Sequence, residues 1–175
     1  THHPVWGNPD AKIKIVEFSD FQCPFCRMAA ENLRPALAEF KDKIAFYFVN
    51  YPLDQSCNQY VSRPIHNAAC NAAKAARCMY KENQFWDYHD ALFANQKALY
   101  LDQFINFATA RGVDKDKFTQ CLYSEEIVNE IKADIEKGNQ LNVSGTPTVF
   151  INGRKIAGWT NFKFLRAVVA EELKQ

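Results

Sequence analysis

No apolar run in this sequence approaches the roughly 20 residues needed to span a bilayer, so a membrane-crossing helix is not expected. The opening stretch, THHPVWGNPDAKIK, lacks the apolar centre of a signal peptide, which implies that any export signal has been removed or lies upstream. Charge of one sign is not in surplus. Lys and Arg number 21 against 20 Asp and Glu, with no basic block, which leaves no electrostatic footprint for nucleic acid or an anionic membrane. Repeats, low-complexity tracts and flexible linkers are also missing. What is present is a 47% apolar chain of 175 residues, enough to bury the core of one domain with room for an embedded subdomain. The six cysteines are an even count and high for a cytosolic enzyme of this size. They favour an oxidising compartment, with a cysteine-rich zinc protein as the alternative.

From Lys12 to Phe18, KIKIVEF alternates and then turns apolar, as a strand entering a sheet covered on both faces does. Pro24 stands where a helix can begin without needing an N–H, and helical spacing continues to Phe40, with Pro35 predicting a kink. A second strand, KIAFYFVNY, follows from Lys43, so strand, helix and strand imply a parallel crossover. Between Pro52 and Leu141 the β signal vanishes. Helical stretches run over Pro64 to Lys81, Gln84 to Asn95, Leu101 to Arg111, Asp114 to Leu122 and Glu125 to Gln140. Strands return in TPTVFI, Asn152 and Gly153 supply a tight hairpin turn, RKIAGW forms the partner, and a last helix spans about Asn161 to Glu172. The expected fold is α/β, with a discontinuous sheet domain over 1–51 and 142–175 and an all-helical insertion over 52–141.

The segment FQCPFC places Cys23 and Cys26 where the first strand gives way to the first helix. Unsatisfied N–H groups and the partial positive charge at a helix N-terminus stabilise a thiolate at Cys23, which makes it the exposed, nucleophilic member of the pair. Lowering a thiol by two units from about 8.5 requires roughly 2.7 kcal/mol. A helix dipole supplies at most about 2, leaving the Cys26 amide and thiol to add the rest. Pro24 has no N–H to offer and Phe25 carries no charge. A thiolate favoured in the reduced form makes the disulfide a better oxidant and Cys23 a better leaving group. In VSGTPTVF, Thr146 precedes Pro147 at the mouth of a strand, where a proline marks a strand edge, a strand entry or a cis bond.

Taken together, VEFSDFQCPFC, FWDYHDALF, FTQCL and GTPTVFING resemble the DsbA family of thioredoxin-fold disulfide oxidoreductases over nearly the whole chain. The resemblance implies that Cys23 attacks, Cys26 resolves the mixed disulfide, and Thr146 with a cis Pro147 packs beside them. It also implies that Phe21, Pro24, Phe25, Gly145, Thr146 and Pro147 meet an extended client peptide. Glu17 falls at the place of the family's buried acidic residue, which relays a proton for Cys26; by spacing alone a solvated strand-end carboxylate is equally consistent. The chain departs from many members at Phe25, where they carry histidine. The missing imidazole predicts a less acidic Cys23 and a reduction potential between roughly −270 and −120 mV. The second strand offers no lysine to partner Glu17 except the early Lys43.

Four cysteines, Cys57, Cys70, Cys78 and Cys121, fall in the helical insertion and allow three pairings. On one continuous helix Cys70 and Cys78 lie about 12 Å apart, beyond the roughly 7 Å reach of a disulfide, which removes one pairing. Among the remaining two, the resemblance implies Cys57 with Cys70 and Cys78 with Cys121, contributing about 3 and 4 kcal/mol on a chain-entropy estimate. A zinc site of Cys57, His66, Cys70 and Cys78 is the rival, without the second short Cys-x-x-Cys that would support it. His89 is expected to pack among aromatics, along with Phe85, Trp86, Tyr88 and Phe93, while His2 and His3 read as a mobile terminus or a tag remnant. Trp159, with Phe21 and Phe25, is a candidate for an apolar rim near the thiols.

The implied function is oxidation of cysteine pairs in unfolded or partly folded exported proteins, in the bacterial periplasm or another extracytoplasmic space. The chemistry needs no cofactor, metal or nucleic acid. Reoxidation is expected from a membrane quinone-linked partner, DsbB-like or vitamin K epoxide reductase-like and possibly fused to this chain, and the chain itself is expected to be monomeric. A reductase or isomerase of the same fold stays open, although no dimerisation module is visible. From a different class, a peptide-binding or chaperone-like module with an inert disulfide also remains.

Overall fold

A computed structural model describes residues 3–175; His2 lies outside them. The chain runs β1 (Val5–Gly7), β2 (Ile13–Ser19), α1 (Pro24–Ala36), a short 3-10 stretch (Ala38–Lys43) and β3 (Ile44–Asn50). Five helices follow: α2 (Ala69–Lys81), α3 (Phe85–Ala94), α4 (Leu101–Thr109), α5 (Lys115–Leu122) and α6 (Glu125–Gln140). The chain closes with β4 (Thr148–Ile151), β5 (Arg154–Lys155) and α7 (Phe162–Glu172). The sheet order is β1-β3-β2-β4-β5, with β2 parallel to β3 and the other pairs antiparallel.

Alternation along β2 assigns its two faces. Ile13 and Ile15 pack with Ala29 and Leu33 of α1 and with Leu165 and Val169 of α7. Phe18 faces the other way, onto Val49, Tyr51, Phe150 and the α6 residues Ile131 and Ile135. α6 approaches closely because Gly138 has no side chain: a Cβ there would collide with the Tyr51 ring. A third apolar cluster is continuous from Cys23, Cys26 and Phe48 into α2, α3, α4 and α5, taking in Met79, Tyr88 and Phe104. The thiols therefore sit where the sheet and the helical segment share a core, and they do not lie on the sheet alone.

Several local features differ from the sequence reading. Pro35 sits in the last turn of α1, so it ends the helix and does not kink it. A short edge strand, β1, pairs antiparallel with β3; three residues of VWG are too few to show a period. RKIAGW contributes only Arg154 and Lys155 to the hairpin, beyond a turn in which Asn152 and Gly153 both take positive φ, 47° and 80°. α2 begins at Ala69 and not at Pro64, because other segments capture the backbone ahead of it. The Gln22 side-chain oxygen accepts from the amides of Asn67 and Ala68, and Asp54 accepts from the Cys70 amide. His3, read as a loose end, is held at 2.7 Å from the buried Asp134.

Candidate active site

Three helices here carry an oxygen at their N-cap. Asp114, Ser124 and Asn161 accept from the amides of Lys117, Ile127 and Phe164. α1 is different, for its N-cap is Cys23, Pro24 is its first residue, and its first turn holds no acidic side chain. The cap position turns the second and third helical amides, Phe25 and Cys26, toward the side chain, here a sulfur that closes no cap hydrogen bond. A sulfur receiving amide donors is best stabilised as an anion.

The two thiols are pushed apart accordingly. Cys23 falls from an ordinary 9.0 to about 6, chiefly because the Cys26 thiol donates to it. Burial opposes the fall, while the Thr146 hydroxyl and the amides of Cys26 and Phe25 assist. Position 25 therefore acts through its backbone, and its phenyl ring stays in solvent at 63% exposure. Cys26 moves the other way, well above its ordinary value, first from burial and then from its bond to Cys23 and the charges of Cys23 and Glu17. The Asp20 amide donates to the Cys26 sulfur at 3.4 Å. Both cysteines are free thiols in this structure.

Cys23 is less open than the sequence suggested, at 6% exposure. The loop before β4 covers it: the Thr146–Pro147 peptide is cis, and the Cys23 thiol donates to the Thr146 carbonyl at 3.3 Å. Pro24 is exposed, and Gly145, Thr146 and Pro147 are half-buried, with the Thr146 carbonyl the part of this loop that meets the sulfur. Phe21, by contrast, is buried against Phe48, His89 and Phe93, and a client cannot reach it. Trp159 is likewise buried, in the core between the sheet, α1 and α7, and is no part of an apolar rim.

Glu17 continues the face of Ile13 and Ile15 and lies inside the protein, at 2% exposure, opposite Phe48 of β3 and Val149 of β4. Burial raises its carboxyl to about 7, the Ser19 hydroxyl and the charge of Arg34 offset part of that, and a Cys23 thiolate adds to it. The cation that acts on Glu17 thus comes from α1 and not from a strand lysine. One Glu17 oxygen is buried without a hydrogen-bond partner, an arrangement uncommon for a carboxyl inside a protein. The charge of Glu17 reaches Cys26 through the protein interior and raises the buried thiol further.

Other groups at the site had no motif to announce them. Asp20, wholly buried, accepts from the amides of Gln22 and Leu53, each at 2.6 Å, and bonds His66 at 2.8 Å. Gln96, just after α3, donates to the carbonyls of both Phe21 and Cys23 at 2.9 Å and clamps the turn ahead of α1. His89 is buried among Phe21, Phe48, Phe85 and Phe93, and burial lowers its pKa. The remaining cysteines are joined as Cys57–Cys70 and Cys78–Cys121. That leaves no thiolate from those four for the zinc site considered above, and His66 is turned to Asp20. Among the described residues no group of three or more His, Cys, Asp and Glu is placed to hold a metal ion. Nor is any helix among them long and apolar enough to cross a membrane.

The reduced protein should show this electrostatic arrangement in a titration. Thiolate absorbance is expected to rise with a midpoint near pH 6, with an inflection near pH 7 from Glu17 that disappears in Glu17→Gln. Because the folded pKa of Cys23 is depressed, its contribution to stability is complete above the unfolded value and is lost as pH falls through about 6. Glu17, raised to about 7, acts with opposite sign: its contribution is complete below 4.5 and is lost as pH rises through 7. At pH 7 the Cys23 contribution is about 1.4 kcal/mol, nearer 1 after solvent screening. The reduced form should therefore gain on the oxidised form between pH 6 and 9 in denaturant unfolding. A Cys23 midpoint above 8 would contradict the arrangement.

The thioredoxin family model matches residues 1–171. The probable disulfide bond formation protein D of Bacillus anthracis is 30% identical over 181 residues, covering 97% of this chain and 77% of that protein. A Na(+)/H(+) antiporter, NhaA 1 of Mycolicibacterium gilvum, is 29% identical over 169 residues, covering 95% of this chain. Only 26% of the antiporter is covered, so the chain spans about a quarter of the length of that relative. The solved thiol-disulfide exchange protein alpha-DsbA2 from Wolbachia pipientis superposes with a TM-score of 0.81 at 23% identity, covering 97% of this chain and 86% of that one, a likeness of fold.

Proposed function

This chain belongs to the thioredoxin family, with the DsbA-like thiol:disulfide oxidoreductases, and on that footing we propose that it introduces disulfides into exported proteins through Cys23 and Cys26. The observation that carries the reading is the placement of two free thiols at the start of α1, with Cys23 at the N-cap against the cis Thr146–Pro147 peptide, an environment that draws Cys23 down to about 6 and pushes Cys26 well above its ordinary value. A sulfur held as an anion in the dithiol is a good leaving group and makes the disulfide an oxidant. In the oxidised protein a client thiolate attacks the Cys23 sulfur. The client–Cys23 bond forms, the Cys23–Cys26 bond breaks, and the Cys26 sulfur leaves and takes a proton relayed by Glu17.

A second client thiolate then attacks the client sulfur of the mixed disulfide, and Cys23 leaves as its stable thiolate. The client loses two electrons and the chain gains them. The bordering loop 145–147 supports an extended client strand, since its backbone lies beside the sulfur. Phe25 offers an exposed apolar contact at the same mouth. We place the reaction outside the cytoplasm, where such oxidation persists, and assign regeneration to a membrane quinone-linked oxidant, DsbB-like or vitamin K epoxide reductase-like.

The test is stoichiometric. Oxidised protein mixed with a reduced, unfolded polypeptide containing two cysteines should yield one client disulfide per dithiol formed at Cys23 and Cys26. In glutathione buffers the pair should equilibrate between roughly −270 and −120 mV. A potential at or below the lower limit, with no client oxidation, would identify a reductase or an inert pair.

A further inference from the structure

Building on that assignment, we infer that His66, held by the buried Asp20, is a positioned positive charge that stabilises the Cys23 thiolate, in place of an imidazole between the two cysteines. His66 belongs to the loop after β3, 43 residues from Cys23 in sequence, yet two sets of bonds fix it beside the turn that leads into α1. Its Nδ1 lies 2.8 Å from Asp20 Oδ2, and its own amide donates to the Leu53 carbonyl at 3.1 Å. The next two residues, Asn67 and Ala68, donate their amides to Gln22 Oε1 at 3.0 and 2.7 Å. Asp20 and Gln22 lie just ahead of the Cys-Pro-Phe-Cys turn, and the Cys23 amide itself donates to the Asp20 carbonyl at 3.1 Å. The imidazole is thus tied to the active turn by a buried carboxylate on one side and a glutamine clamp on the other.

Chemistry gives the pair its sign. Asp20 is entirely out of solvent and its ion-pair partner is His66, whose side chain is 15% exposed. A carboxylate so placed favours the imidazolium over the neutral ring, since each accepted hydrogen bond to a charged donor is stronger than to a neutral one. The charges that act on His66 are Asp20 first, then the Cys23 thiolate and Asp54, and all three raise its affinity for a proton while burial opposes them. Coupling of this kind is reciprocal: a thiolate that favours the imidazolium is favoured by it to the same degree. The influence is longer in range than the Cys26 thiol and the α1 amides, which dominate at Cys23, so its expected effect is a fraction of theirs.

His66→Asn keeps a donor for Asp20 and removes the charge. The Cys23 absorbance midpoint should rise by about half a pH unit, and the glutathione exchange constant should shift about threefold toward the disulfide. At 29.6 mV per decade that is about 14 mV less oxidising. Should the variant fold poorly, the wild-type protein provides the answer. The His66 ring, followed by NMR, should titrate about half a unit higher in the reduced state than in the oxidised state. An unchanged Cys23 midpoint in a folded His66→Asn, or identical His66 titrations in the two redox states, overturns the inference while the oxidase reading stands. A wild-type Cys23 that titrates like a free thiol instead overturns the oxidase reading itself.

Discussion

Cys23→Ser is expected to abolish client oxidation completely, because a serine oxygen cannot enter a disulfide and the chain then has no acceptor for the client's electrons. The substitution is clean for a structural reason. Cys23 occupies the N-cap of α1, where its side chain makes no cap hydrogen bond, and serine is among the better N-cap residues because its oxygen accepts from first-turn amides. At pH 7 the serine cap offsets part of the about 1 kcal/mol that the thiolate contributes, so stability should change little while activity vanishes, which separates chemistry from folding. Cys26→Ser should fail differently. Cys23 can still exchange with a client disulfide, but no resolving thiol remains, so mixed disulfides accumulate and appear as adducts on non-reducing gels. Residual oxidation by Cys23→Ser above the buffer rate, or an absence of adducts with Cys26→Ser, would remove Cys23 from the role assigned to it.

The second large effect concerns stability. The Cys78–Cys121 bond joins α2 to α5 and closes a loop with a sequence separation of 43 residues. On the chain-entropy estimate, opening it raises the entropy of the unfolded chain enough to cost about 4 kcal/mol, against about 3 for Cys57–Cys70, whose separation is 13. For a chain of this size each kcal/mol moves the midpoint by about 2 to 4 °C, so Cys78→Ala with Cys121→Ala should lower Tm by roughly 8 to 16 °C. The potential of Cys23 and Cys26 should not move with it. Opening Cys57–Cys70 has a smaller thermal effect but loosens the loop that carries Asp54 and His66, so there the potential should shift as well. Thermal unfolding of the two double variants, each with its glutathione equilibrium, distinguishes these outcomes; a loss under about 1 kcal/mol for the longer loop would contradict the estimate.

Parts of the site were legible because they are local. A strand, a proline at the first helical position and a cysteine on either side of it state their chemistry within a few residues, whereas the burial of Glu17 came only from the resemblance, since spacing alone left a solvated carboxylate equally consistent. The Asn152–Gly153 turn and the helices α3 to α7 were legible for the same reason, since periodicity and turn chemistry act over short range. What escaped was whatever depends on segments meeting. α2 starts late because Gln22, far from it in sequence, takes the amides of Asn67 and Ala68. Gln96 reaches back 75 and 73 residues to two carbonyls, and a lone glutamine carries no periodic signal. Phe21 is adjacent to the reactive turn yet faces the core, because α3 brings Phe93 and His89 over it.

By itself, then, the sequence determined which two sulfurs are the candidates for exchange and which helix end holds them, for an N-cap is a property of consecutive residues. Only the tertiary structure decided how acidic the outer thiol becomes, how far it is covered, and which charges face it. Those depend on burial and on side chains brought in from remote segments, Thr146, Glu17 and His66 among them, and electrostatics acts through space without regard to distance along the chain.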